Sequence, residues 1–209
     1  MTLKFLTAPL LAAGLATSAI AAGDTVEINV PAEGSVTKED GLAAWARIYE
    51  VASHPRCSNC HVGESDRPMW SGPTYGKTRV HGMNVRAGDS RIGVEYIPCA
   101  TCHVNNIATG RANATPHAAP MVPAAWQLAP VEADWFGKSS IEICTQLRDP
   151  ELNGDRDMMA LASHLDHDVI LHWAWNPGGG REPAPYSLQE HVNDILAWGT
   201  AGFPCEGDS

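Results

Sequence analysis

The strongest constraint on this chain is a short motif that occurs twice. Residues 54–62 read HPRCSNCHV and residues 99–103 read CATCH, so His61 directly follows Cys57 and Cys60, and His103 directly follows Cys99 and Cys102. Thiols at this spacing sit about one helical turn apart, which suits the two vinyl groups on one edge of a porphyrin. The next residue then points beneath the ring, where its imidazole reaches the iron as proximal ligand. Two such sites predict two covalently bound haem c groups, with Cys57, Cys60, Cys99 and Cys102 as thioethers and His61 and His103 on iron. The chain also carries 19 Gly and 15 Pro. Its long loops therefore need something beyond apolar side chains at their centre.

Two other chemistries use paired cysteines. Four thiolates hold a structural zinc, but each following histidine would then be a coincidence, twice over. A thioredoxin-type dithiol expects a βαβ context, and neither site is flanked by the β-branched apolar run of a buried parallel strand.

The N-terminus reads MTLKFLTAPLLAAGLATSAIAAGD. Lys4, an apolar stretch from Phe5 to Ile20 and the small residues Ala19 and Ala21 form a secretory signal peptide, residues 1–21. Residues 22–209 are then expected to form a single dihaem domain in the periplasm, with no membrane span after cleavage. That compartment is also where haem c is attached. Removing Lys4 reduces the 14 basic side chains to 13 against 24 acidic ones. The surplus argues against nucleic acid or anionic lipid as partner and is compatible with a protein that presents a basic docking face.

Two cysteines remain, Cys144 and Cys205. The simplest expectation for an exported chain is a disulfide tying the C-terminal tail to a helix. The alternative is that one of them is a thiolate ligand to iron.

Each iron also has a distal position, where His gives a low-potential centre, Met a higher one, and an open site small-molecule chemistry. His81, in the polar loop KTRVHGMNVRAG, is a distal candidate, with Met83 as its rival. His167 is the second candidate. His164, at i, i+3 to it, is its rival on the same helix face. His54 is expected to pack or hydrogen-bond, and His172 and His191 to be surface or packing residues. Met158 and Met159 are expected to belong to the core.

The pattern predicts a mainly α protein of four or five helices with long loops wrapped around two haems. KEDGLAAWARIYEVASH (38–54) places Leu42, Trp45, Ile48, Tyr49 and Ala52 on one helix face. Ser139-x-x-Glu142 and Ser187-x-x-Glu190 are capping boxes that open two more helices, and a fourth spans 155–167. Residues 23–37 read as an extended arm, and 62–97 and 104–138 as loop. WAWNPGGGREPAP (173–185) lacks the Lys-Ser/Thr of a phosphate-binding loop and reads as a rigid surface loop. In its functional reading, Trp173 or Trp175 packs on a porphyrin and Arg181 pairs with a propionate.

HPRCSNCH, CATCH, the EIC helix, ASHLDHD, and WAWNPGGGREPAP followed by a late Cys together resemble a family of small bacterial dihaem cytochromes often labelled "isoquinoline 1-oxidoreductase subunit". The likeness runs from about residue 45 onward. It implies single-electron transfer and a redox partner such as a molybdenum hydroxylase or another periplasmic dehydrogenase. In the family pattern a His stands near a W-x-L-A-P segment. Here Trp126-Gln127-Leu128 puts Gln127 there, which brings His117 into consideration. The alternative function is a haem enzyme with an open or Cys-ligated iron, acting on peroxide or sulfur compounds.

Overall fold

A computed structural model describes residues 26–103, 119, 120, 122 and 126–208. The expected signal peptide and His117 lie outside these residues.

The described residues are mainly helical. The helices are α1 (Lys38–Ala52), α2 (Pro55–Ser58), α3 (Ser140–Arg148), α4 (Pro150–Asn153), α5 (Met158–His167), α6 (Val169–Trp175) and α7 (Leu188–Thr200). Three of the long ones open with capping boxes. The side chains of Thr37, Ser139 and Ser187 accept from the backbone N–H of Asp40, Glu142 and Glu190, whose carboxylates take the cap N–H in return. Two of these boxes are the expected ones. Asp149-Pro150 ends α3 as the sequence implies, but Pro150 then occupies the first turn of α4, where its missing N–H costs nothing.

α1 and α7 pack along their length. Trp45 and Trp198 meet at 4.9 Å, and the core joins Ile48, Ile143, Val192, Ile195 and Leu196. Both indoles are satisfied: Trp45 Nε1 donates to Ser140 Oγ at 2.9 Å and Trp198 Nε1 to the Pro204 carbonyl at 2.9 Å. Gly41 lies at the crossing, where a Cβ would run into Ala201 and Pro204. The Cys144–Cys205 disulfide joins α3 to the C-terminal tail, with Cα atoms 5.9 Å apart. The expected pairing is present, so neither cysteine offers a thiolate.

Residues 62–103 form a second region of different construction. Its regular structure is a two-residue antiparallel pair, Met69 with Val80 and Trp70 with Arg79, plus single 3₁₀ turns. Its apolar cluster has only Val62, Ala87 and Leu128 as buried members. Arg91 supplies cross-links that strands would otherwise provide. Its Nε donates to the Ala129 carbonyl at 2.9 Å, and its Nη1 to those of Gly63 and Ser65 at 3.1 and 3.0 Å.

One expectation is corrected here. The 173–185 segment is not a surface loop: Trp173 and Trp175 close α6, and Arg181 and Ala184 are buried. Left-handed Gly178, Gly179 and Gly180 turn the chain back so that the Ala184 N–H reaches the Ala174 carbonyl at 2.9 Å.

Candidate functional site

Both CxxCH motifs fold as the same helical turn. The His61 N–H donates to the Cys57 carbonyl at 3.3 Å, and the His103 N–H to that of Cys99 at 2.9 Å. Each motif lines an apolar cavity. The first, of about 190 Å³, holds Cys57 and His61 among Ile48, Val51, Leu161 and Leu165. The second, of about 410 Å³, holds Cys60, Cys99, Cys102 and His103 among Met69, Trp70, Trp126 and Trp173. Cys57 and Cys60 thus face different cavities, and the turn carrying them stands between the two.

The motif histidines are fixed alike. His61 Nδ1 meets the Ala133 carbonyl at 3.1 Å, and His103 Nδ1 meets the Pro120 carbonyl at 2.9 Å. A carbonyl only accepts, so Nδ1 carries the hydrogen in each ring. Burial pulls the rings down to about 3 for His61 and about 4 for His103, so both are neutral at pH 7. Nε2 is therefore the bare lone pair, and a carbonyl on the opposite nitrogen is the usual second contact of a metal-bound imidazole. Trp135 stacks on His61 at 3.5 Å, 5° from parallel, and is itself anchored by Nε1 on Gln146 Oε1 at 2.8 Å. Trp126 lies 4.5 Å from His103.

A second histidine enters each cavity. The rings of His81 and His103 have centroids 6.3 Å apart. Two imidazoles sharing one metal at about 2 Å each, with centroids roughly 1 Å behind the nitrogens, stand about 6 Å apart. His81 Nδ1 rests on the Gly82 carbonyl at 3.0 Å. In the first cavity the partner is His164, whose charge, when present, acts on His61. His164 is itself exposed, and partial desolvation on the cavity side lowers its pKa.

The other expected residues divide. His167 is not brought to either cavity: its side chain is 75 % exposed, and its Nδ1 turns back onto the Ser163 carbonyl at 2.8 Å. The rival on its helix, His164, is the one placed beside a motif histidine. Met83 edges the second cavity but is 78 % exposed. Trp173 lines the second cavity, edge-on to Trp126 at 5.6 Å. Arg181 borders neither cavity; its Nη1 donates to the Pro177 carbonyl at 3.2 Å and its guanidinium lies 5.8 Å from Trp173. His54 caps α2 through Nδ1, which accepts from Arg56 N–H at 3.2 Å, in keeping with the packing or hydrogen-bonding role expected of it. His191 is a buried lining residue of the first cavity. Arg56, Trp126 and Trp135 join the site without a signal in their own spacing; Arg56 directly precedes Cys57 of the first motif, which is the one cue the sequence holds.

Several buried polar atoms face the cavities without a partner among the described residues: Trp175 Nε1 and His191 Nδ1 in the first, Arg56 Nε and Trp126 Nε1 in the second. An apolar cavity with a few open donors suits a flat apolar ring with polar substituents. Desolvation pushes Cys57 up to about 12 and Cys60 up to about 11, whereas metal-binding and redox cysteines have lowered values. Among the described residues no three His, Cys, Asp or Glu side chains converge as a metal cage.

No protein-family model matches the chain, and no curated protein or solved structure matches it either.

Proposed function

We propose that this protein is a periplasmic dihaem c-type cytochrome that passes single electrons between partner proteins. Cys57 and Cys60 would hold the first haem, which requires Cys60, now on the second cavity, to turn toward the first, and His61 and His164 would ligate its iron. Cys99 and Cys102 hold the second, with His103 and His81. The observation that carries the reading is His81 facing His103 at 6.3 Å on the second cavity; on the first, His164 and His191 share the lining with His61. Bound there, haem supplies one-electron chemistry at iron. The chain's own residues supply the rest: four imidazoles fill the axial positions, and carbonyls on Nδ1 keep Nε2 pointed inward.

Filled axial positions favour an electron carrier over the alternative, a haem enzyme with an open or Cys-ligated iron. The disulfide removes Cys144 and Cys205 as ligands. The donor implied by the family resemblance is a molybdenum hydroxylase or another periplasmic dehydrogenase. Among the described residues no helix is long and apolar enough to cross a membrane.

Intact-mass analysis of the full chain, exported by a host that attaches haem c, tests the proposal. The expected result is loss of the leader and gain of two macrocycles, with one lost in Cys57→Ala/Cys60→Ala and the other in Cys99→Ala/Cys102→Ala. A mature chain without added macrocycles, or with bound zinc, overturns the reading.

A further inference from the structure

The residue before the first motif, Arg56, is among the most deeply buried charges in the described residues, its side chain 2 % exposed. Burying a guanidinium is costly unless its donors are met. Nη2 donates to Glu182 Oε1 at 3.2 Å, and the cation lies 5.2 Å from the Trp173 ring and 5.7 Å from Tyr75. Nε has no acceptor among the described residues, and neither does Trp126 Nε1 on the lining of the same cavity; Glu182 Oε2 is likewise buried without a donor. Arg56 and Trp126 both line the second cavity, whose described lining includes no carboxylate. The first cavity, by contrast, is lined by Glu132, Glu151 and Arg156. Arg181, the cation expected from sequence for a propionate, spends Nη1 on backbone carbonyls and lines neither cavity.

We propose that Arg56 and Trp126 form a carboxylate-binding site that takes a propionate of the second haem, and that the Arg56–Glu182 pair sets that site's reduction potential. This rests on the dihaem reading. A haem propionate brings the acceptor that Arg56 Nε–H and Trp126 Nε1–H otherwise lack, and a charge-assisted bond to guanidinium is the stronger of the two. Oxidation adds one positive charge at iron. In a poorly screened interior a fixed cation nearby opposes that charge, and a fixed carboxylate favours it. Both axial ligands of this site are histidines, so neighbouring charge is the lever left to tune it. Glu182 comes from the turn after α6, so the REP of that segment is tied to the HPRC of the first motif.

The test is a redox titration of the holoprotein, with haem content measured by mass. The second-site wave is identified as the one displaced by His81→Met. Arg56→Gln is expected to lower that wave by about tenfold in the reduction equilibrium, about 59 mV for one electron. Glu182→Gln is expected to raise the same wave, Arg56→Lys to leave most of it in place, and the other wave to shift in the same sense but less, since Arg56 also adjoins Cys57. Opposite signs from the two partners are what a purely structural pair would not give. If Arg56→Gln does not accumulate, Glu182→Gln decides alone. Two attached haems with an unmoved second wave, or shifts of the same sign, overturn this proposal and leave the dihaem reading standing. A wild-type chain without haem overturns both.

Discussion

At the scale of single residues, hydrogen-bond roles do most of the assigning. A carbonyl on Nδ1 fixes the tautomer of His61 and His103 and frees Nε2. His164 and His167 show how fine the distinction is. They are three residues apart on α5, close enough in angle that periodicity alone gives both the same face. Leu161 and Leu165 settle it: both pack toward the core, and His164 stands beside them, whereas His167 is in the final turn with Asp166 and folds back on its own helix. The signal was present in the order of apolar residues around the pair. His81→Ala and His164→Ala are each expected to turn one low-spin iron high-spin, and His167→Ala to change neither. Optical and paramagnetic resonance spectra of the oxidised protein check this. A response to His167→Ala with none to His164→Ala would reverse the assignment.

At the scale of elements, the legible parts were those with local chemistry. Ser139-x-x-Glu142 and Ser187-x-x-Glu190 marked helix starts because the cap, the N3 carboxylate and the apolar run follow one another in sequence. Thr37-x-x-Asp40 uses a shorter acid for the same exchange and was not recognised, though the face of α1 was. The sequence does not show α6, whose last three residues fall in the 173–185 segment read as loop, for a physical reason. Its seven residues are too few to show a period, and the glycines and prolines that follow dominate the window. Residues 62–97 read as loop in the sequence and are close to it, but their packing is not legible there, because Arg91 and scattered backbone groups hold them through contacts 26 to 38 residues apart. Ser187→Ala removes the cap of the helix that brings His191 and Ile195 to the first cavity. It is expected to cost about 1 kcal/mol, read as a lower midpoint in denaturant titration with unchanged slope.

At the scale of the whole molecule, two kinds of order share one chain. The helical part closes around Trp45, Trp198 and a disulfide spanning 61 residues of sequence. Replacing both cysteines, Cys144→Ala with Cys205→Ala, is expected to cost about 4 kcal/mol in the chain-entropy picture. Because neither cysteine lines a cavity, the visible spectrum should not change. A changed spectrum would mean that one of them serves an iron. The disulfide also bears on how such a chain is made. On the proposed dihaem reading, four thiols have to remain reduced until haem is attached, while two others have to be oxidised in the same compartment. Cys144 and Cys205 are almost wholly shielded from solvent, whereas of the four free thiols Cys57 is buried, Cys60 and Cys99 are partly buried and Cys102 is exposed. Exchange between a disulfide and a free thiol needs access to sulfur. Once the helical part has closed, the finished bridge can no longer trade partners with the four waiting thiols, and a reductant strong enough to keep those open passes it by.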